Sequence, residues 1–500
     1  MRAKTVIIVG AGPGGLSAGM LLARNGYQVR IFEKKNQVGG RSFPLKLKQY
    51  TFDLGPTFFL MKDILEDIFS DAGRNLENYV QLMEIDPLYR LVFDENRVFY
   101  PTRNQDKMRE QMEAWIPGSF QGYLKYIQKE KKKYNSIIPC LRVPYSSLGN
   151  YFSWRFIRSL PRLDAHISLF RQLGRYFEEP DMRVAFSFQA KYLGMSPWSC
   201  PGTFSILSFI EHSGGVFHVK GGLNRLSQAM AKVIEEEGGR IHLETPIREI
   251  IIKDRKAVGV KLCHGDEIKG DYVIINADFA YAMDKLVPEI HRRKWRSDTL
   301  KRKKYSCSTF MLYLGVDNIY DIPHHNIVFA RDYKKNVDEI SRERILSSDP
   351  SFYIQNASVT DDTLAPPGKS AIYVLVPAPN NKSRIDWQKE KEPFKNLILD
   401  LMEKRAGFSK LKDHIEIMKI ITPADWEDEE NIFLGATFNL AHSMDQMLYL
   451  RPHNRFEEFE NCYLVGGGTH PGSGLPTIYE SGNISAKLIM QQDGMKVVWK

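Results

Sequence analysis

Apolar positions along the chain first run unbroken and then fall into periods. Thr5-Val-Ile-Ile-Val9 is a short β-branched run, as a strand buried on both faces requires. Gly10-Ala-Gly12-Pro-Gly14-Gly15 follows, then a charge-free stretch to Ala23, predicted helical over Leu16 to Asn25, and a second apolar strand closing at Glu33. Strand, glycine turn, helix and strand in that order make a βαβ unit that holds a dinucleotide. Gly10 permits the turn, Gly12 admits the pyrophosphate to the backbone, Gly15 lets helix and strand pack, and Glu33 is placed to accept from ribose hydroxyls. Between residues 60 and 240 the period becomes helical, as in Asp63 to Ala72, Gln105 to Trp115 and Phe120 to Tyr134.

β periodicity returns later. Gly214 to Ala231 reads as strand, Gly221-Gly222 turn and helix, and Ile241 to Ile252, Ala257 to Leu262 and Asp271 to Asp278 read as strands returning to the nucleotide sheet. Ser306 to Val316 and Ala371 to Pro377 are further strands, and Pro393 to Gly407 is a helix. Near the end, strand Asn461 to Val465 feeds the glycine-rich loop Gly466 to Gly474 and a helix from Leu475 to Gln491, with Pro476 in its first turn. A flavin ring can lie there, with the N–H groups of Leu475, Thr477 and Ile478 facing its pyrimidine end.

Composition changes this picture little. The chain has 500 residues, 43% hydrophobic, which suits a nucleotide domain plus a substrate domain. A formal charge of +9 favours an anionic membrane leaflet as partner, and nucleic acid is not expected. Basic clusters such as Lys129 to Lys133 read as solvated helix faces. The 5 cysteines are scattered without a CxxC pair, which predicts a reducing compartment and no metal site. The basic start and the charge-free run to Ala23 imitate a targeting segment, but the glycine spacing and the acid-terminated strand belong to a folded unit, so the mature chain is expected to begin at residue 1.

Ile137 to Phe177 interleaves aromatic residues with Arg142, Arg155, Arg158, Arg162, Arg171 and Arg175, around the single acid Asp164. One reading is a helix in a lipid interface; the other is an amphipathic helix packed on its own domain, and the one-sided charge favours the first. The pairs His324-His325 and Asp361-Asp362 have no metal partners at useful spacing and read as surface turns.

Gly10 to Gly15 with Glu33, Gly39-Gly-Arg41, Phe52-Asp-Leu-Gly-Pro-Thr57, Tyr305 to Phe310, Ala365-Pro-Pro-Gly368, Leu450-Arg-Pro452 and the closing Leu464 to Pro476 together resemble the bacterial carotenoid desaturases, the FAD-dependent phytoene and diapophytoene dehydrogenases. The resemblance implies an α/β architecture. A discontinuous Rossmann-type FAD-binding domain of the amine-oxidase type (residues 1–90, 216–285 and 451–500) would be interrupted by a helical, membrane-associating region (91–215) and an α+β substrate domain (286–450). It implies FAD contacts at Gly10, Gly12, Gly14, Gly15, Glu33, Gly40, Arg41, Gly55, Pro56, Thr57, Ile247, Gly467, Gly468, Leu475, Pro476 and Thr477. Related flavin oxidases place an acid in the Gly466 to Gly468 stretch; this chain has only glycines there.

The reaction implied is successive desaturation of a colourless C30 or C40 isoprenoid by hydride loss to flavin N5. The enzyme would sit peripherally on the inner face of the cell membrane, hold no NADPH, and be reoxidised by a quinone or oxygen. No catalytic base is assigned. His470 either contacts flavin or the tunnel wall, or holds its loop. Competing readings are the related terminal oxygenase of C30 carotenoids, an amine oxidase, and a lipid carrier of the Rab-escort or GDI type.

Overall fold

The computed structural model describes residues 3–94 and 97–499. Its first layer is a parallel sheet of strands β1 (Thr5–Val9), β2 (Gln28–Phe32), β3 (Arg240–His242), β4 (Tyr272–Ile275) and β5 (Cys462–Leu464), in spatial order β5-β4-β1-β2-β3. The central strand β1 is buried at every residue, which is why its sequence shows no alternation.

Helix α1 (Pro13–Arg24) is buried from Pro13 to Ala23 and contacts both α2 (Asn224–Glu236) and α3 (Leu475–Gln492). A helix apolar all round needs neighbours on every side, and this sandwich accounts for the charge-free run that imitates an anchor. Its crossing with α3 is close: a Cβ on Gly482 would lie 2.3 Å from the Gly14 carbonyl oxygen. Gly14 thus serves helix packing and lies outside the cavity described below.

A second, seven-stranded sheet runs in the order 415–421, 308–316, 370–378, 352–356, 325–328, 90–94 and 97–99. The last two strands fall where the sequence pattern predicts mainly helix; Arg90–Asp94 pairs parallel with His325–Val328, so this part of the 91–215 segment belongs to the sheet. Helix Trp387–Arg405 covers one face and contains Pro393 near its start. The long helix Ser119–Leu141 and shorter pieces up to Gly214 form a third body, whose aromatic core is shared with sheet residues such as Leu91, Phe93, Phe99 and Ile327.

Two expectations fail by burial. Lys133 is fully buried, pairing with Glu130 at 2.9 Å and Asp164 at 3.1 Å, so the 129–133 cluster is not uniformly solvated. His324, His325 and Asp361 are buried, not surface turns: His325 opens an inner strand of the seven-stranded sheet, and Asp361 accepts from His218 at 2.9 Å; Asp362 alone of these is exposed.

Ile137 to Phe177 is also not one helix. It breaks into Leu148–Phe152, Trp154–Ser159, Leu160–Arg162 and Leu169–Leu173 after the long helix ends. Tyr145 and Phe177 point inward, whereas Leu148, Phe152, Trp154, Ile157 and Leu160 are exposed, Phe152 by 78% and Trp154 by 75%.

Candidate flavin site and adjoining cavity

The first glycine loop is fixed by backbone geometry. Gly10 has φ +94°, and a Cβ there would meet the Asn276 carbonyl oxygen at 2.6 Å. Asn276, at the end of β4, donates from Nδ2 to the Gly10 carbonyl at 2.9 Å, tying the loop to the sheet. Gly15 packs against the same residue, with a Cβ reaching 2.7 Å from Asn276 Nδ2 and 2.8 Å from the Gly10 oxygen. Helix α1 then begins with no acid in its first turn, which leaves its positive end available to phosphate. Glu33 is buried and accepts from the Ala11 N–H at 2.8 Å and the Lys35 N–H at 2.9 Å, so its carboxylate is oriented beside the loop.

Opposite stands Arg41. Its guanidinium donates to the Thr437 carbonyl at 2.6 Å and faces Asp278 from the end of β4. With its amide oriented to satisfy both neighbours, Asn439 donates to Asp278 at 2.6 Å and accepts from Arg41 at 3.2 Å. Burial pushes the Asp278 carboxyl up, and Arg41 pulls it back. Asp278 supplies a half-buried acid that lines the same cavity as Gly466 and Gly467. The sequence placed Asp278 only at a strand end, because its pairing with Arg41 spans more than two hundred residues and has no local signature.

A single cavity of about 610 Å³ joins these groups to an apolar wall. Of the expected cofactor residues, Gly10, Gly12, Glu33, Gly40, Arg41, Gly55, Pro56, Thr57, Ile247, Gly467, Leu475, Pro476 and Thr477 line it. Gly14, Gly15 and Gly468 do not; a Cβ on Gly468 would meet Phe279 Cβ at 2.6 Å, so that glycine packs away from the cavity. At the start of α3, the Ile478 N–H already donates to the Gly474 carbonyl at 2.9 Å and belongs to the helix ladder, which corrects the expectation that it faces a ligand.

The glycine loop, the acid-free helix end and the Arg41–Asp278 pair together suit a flavin nucleotide, whose diphosphate and ribose need that donor set. A buried, unpartnered Thr437 hydroxyl on the same wall is a further polar atom that such a ligand can satisfy.

Beyond the polar end the lining becomes aromatic and aliphatic, including Phe58, Phe188, Leu207, Ile210, Phe329 and Leu375. Lys191 interrupts it. Its Nζ lies 4.6 Å from the Tyr333 ring centroid with no hydrogen-bond partner, and burial lowers the amine to about 7. Behind this wall Glu211 accepts from Gln189 at 2.8 Å and Tyr89 at 3.1 Å, and burial pushes its carboxyl up to about 7.

His470 does not line the cavity. Its Nε2 donates to the Val143 carbonyl at 2.9 Å, its ring packs on Tyr145, and burial lowers it to about 3, so it fastens the 466–474 loop to the segment after the long helix. Among the described residues no group of three or more His, Cys, Asp or Glu is placed to hold a metal ion.

Residues 13–490 match the model of the flavin containing amine oxidoreductases, and the chain belongs to that flavin-dependent family. The fold agrees: an oxidoreductase from Methanosarcina mazei superposes with a TM-score of 0.64 at 16% identity, covering 97% of this chain and 100% of that one. Within the flavin-dependent family, the chain belongs to the family of the bacterial carotenoid desaturases. It is 52% identical to a 4,4'-diapophytoene desaturase (4,4'-diapolycopene-forming) of Methylomonas sp, over 98% of this chain and 96% of that protein. It is 37% identical to an all-trans-zeta-carotene desaturase of Myxococcus xanthus, over 98% and 94%.

Proposed function

We propose that this chain is an FAD-dependent desaturase that introduces double bonds into a colourless C30 or C40 isoprenoid, with the C30 diapophytoene type favoured by the Methylomonas relative. The carrying observation is the continuity of one cavity from the glycine loop to an apolar wall. The expected cofactor contacts are those that line it, and Glu33 at the end of β2 favours FAD by offering a carboxylate to the adenosine ribose. When bound, the flavin supplies the two-electron acceptor chemistry. Gly12 and the N-terminus of α1 would bind the diphosphate, Arg41 and Asp278 would fix the polar wall, and the aromatic lining would orient the polyene and keep water from the cation that forms.

Such a substrate dissolves in lipid, so leaving the bilayer for an apolar cavity gains little hydrophobic energy, and the enzyme must work at the membrane. No described helix is long and apolar enough to cross a membrane. The exposed Leu148, Phe152, Trp154, Ile157 and Leu160, beside Arg155, Arg158 and Arg162, suit a monotopic contact with an anionic leaflet, which we assign to the inner face of the cell membrane. A membrane quinone or oxygen would reoxidise the flavin.

Expression in hosts that make phytoene or diapophytoene tests the reading: coloured polyene is expected in at least one, and colourless extracts from both beside a yellow, flavin-loaded protein would sink it. Replacing both Phe152 and Trp154 by Ser should lower binding to phosphatidylglycerol-containing vesicles about tenfold or more in co-sedimentation, since each buried ring is worth about 1.5–3 kcal/mol. Unchanged sedimentation would remove this segment from the membrane contact.

A further inference from the structure

Desaturation removes a hydride and a proton, and the proton needs a receiver. We infer that Tyr353, backed by His325, is the catalytic residue that takes this proton; the inference rests on the desaturase reading above.

Among the described hydroxyls and amines at the apolar wall, Tyr353 has a proton-accepting nitrogen directly behind it. Its hydroxyl lies 2.7 Å from His325 Nδ1 and 2.8 Å from Thr57 Oγ1. The Tyr333 hydroxyl has no partner, Tyr192 stands against the Glu211 carboxyl, which burial holds toward its protonated form, Tyr373 donates to the Gly55 carbonyl at 2.7 Å, and Lys191 rests on an aromatic ring. Tyr353 also stands at the right place. Thr57 belongs to the 55–57 loop, where Gly55 packs against the Arg41 backbone, so the hydroxyl sits where the flavin end of the cavity meets the polyene end.

The imidazole behind it is held in position. Phe58 stacks on His325 with centroids 4.1 Å apart and planes 14° apart, and His324 meets it edge-on with centroids 4.4 Å apart. Burial and the neighbouring His218 keep His325 neutral, so one ring nitrogen carries no proton. With Nδ1 as the unprotonated nitrogen, the Tyr353 O–H donates to it and the Thr57 hydroxyl donates to Tyr353, which leaves one phenol lone pair for the substrate. His325 Nε2 is buried without a partner, a cost that a purely structural histidine on an inner strand would not need to carry.

The step balances. A flavin bound at the glycine end would supply the two-electron acceptor for the hydrogen that one allylic carbon gives up with both bonding electrons. The neighbouring carbon loses its hydrogen as a proton to the Tyr353 oxygen while the Tyr353 proton moves to His325 Nδ1. The electron pair of that second C–H bond becomes the new carbon–carbon π bond, and His325 is left as imidazolium.

The test uses the full flavin-loaded chain on phosphatidylcholine and phosphatidylglycerol vesicles carrying the colourless C30 precursor. The precursor is deuterated either at the hydride-losing or at the proton-losing carbon, and anaerobic flavin bleaching is followed in a single turnover. Tyr353→Phe should bind the precursor as tightly as wild type, read from the spectrum of the oxidised flavin. Its bleaching should slow by about 10²-fold or more, with the isotope effect moving to the proton-losing carbon. His325→Asn should slow bleaching with the same move of the isotope effect. A Tyr353→Phe protein that bleaches at the wild-type rate, or that slows without any change in which label matters, overturns the inference. Should Tyr353→Phe fail to hold flavin, 3-fluorotyrosine at 353 keeps both hydrogen bonds while altering phenol acidity; an unchanged rate and isotope pattern there overturns it equally. Wild-type flavin that stays oxidised with C30 and C40 precursors alike would instead overturn the desaturase reading itself.

Discussion

The two ends of the cavity are built on opposite terms. At the glycine end, the charged and amide groups already have partners: Glu33 accepts from Ala11 and Lys35, Asn276 donates to Gly10, and Asn439 bridges Arg41 and Asp278. At the polyene end, Lys191 Nζ, the Tyr333 hydroxyl and His325 Nε2 have no hydrogen-bond partner. A charged nucleotide held in one pose rewards preorganised donors, whereas a hydrocarbon drawn through in steps offers nothing to bond, so shape does the holding. The first end should therefore fail abruptly when changed, and the second should yield by degrees.

The largest effect is expected from Gly15→Val. Its side chain would collide with Asn276 and the Gly10 carbonyl, so α1 could not seat on the sheet, and the purified protein should lose essentially all flavin absorbance. A yellow Gly15→Val protein would show that the loop is not rigid.

Arg41→Met should follow. It removes the cation that faces the half-buried Asp278 carboxylate, and flavin content and thermal stability should fall together. Asp278→Asn in the same background should recover part of the stability; no recovery would mean the pair is not coupled.

Glu211→Gln sharpens the contrast by pH. Burial raises the Glu211 carboxyl from 4.5 to about 7. Its stabilisation is thus fully present below about 4.5 and is lost as pH rises through about 7, a change on the order of 3 kcal/mol. The glutamine variant should be more stable than wild type above pH 7, with a flatter melting profile between about pH 4.5 and 8. Parallel profiles would place the carboxyl's titration elsewhere.

Leu375→Met is the mildest. It keeps volume on the apolar wall and should cost under about 1.5 kcal/mol, leave flavin content unchanged, and alter at most the ratio of products with different numbers of double bonds. Loss of flavin from this variant would show the two ends to be one rigid unit.

The glycine end was legible because its physics is local. A β-branched run, glycines at fixed offsets and an acid closing the next strand are spaced by the geometry of one βαβ unit, and they appear in β1, α1 and β2 with boundaries moved by a few residues. Legibility failed where burial depends on distant partners. Lys133 reads as one of several surface lysines until Asp164 closes on it, and His324 and His325 read as a turn after Pro323 until the 90–94 and 352–356 strands enclose them. The arginine-rich segment has the composition of an interfacial helix, yet its backbone folds into short pieces that turn Tyr145 inward and Phe152 outward.

By itself, then, the sequence determined the nucleotide unit, the glycine-rich return near residue 466 and the family, because each rests on residues adjacent in the chain or on a pattern spread along all of it. Only the tertiary structure decided that Asn439 joins Asp278 to Arg41, that Gly14 and Gly468 serve packing, that His470 fastens a loop, and that Tyr353, Thr57 and His325 come together. Those juxtapositions join segments hundreds of residues apart, and their chemistry arises from desolvation and hydrogen-bond distance, which no linear spacing encodes.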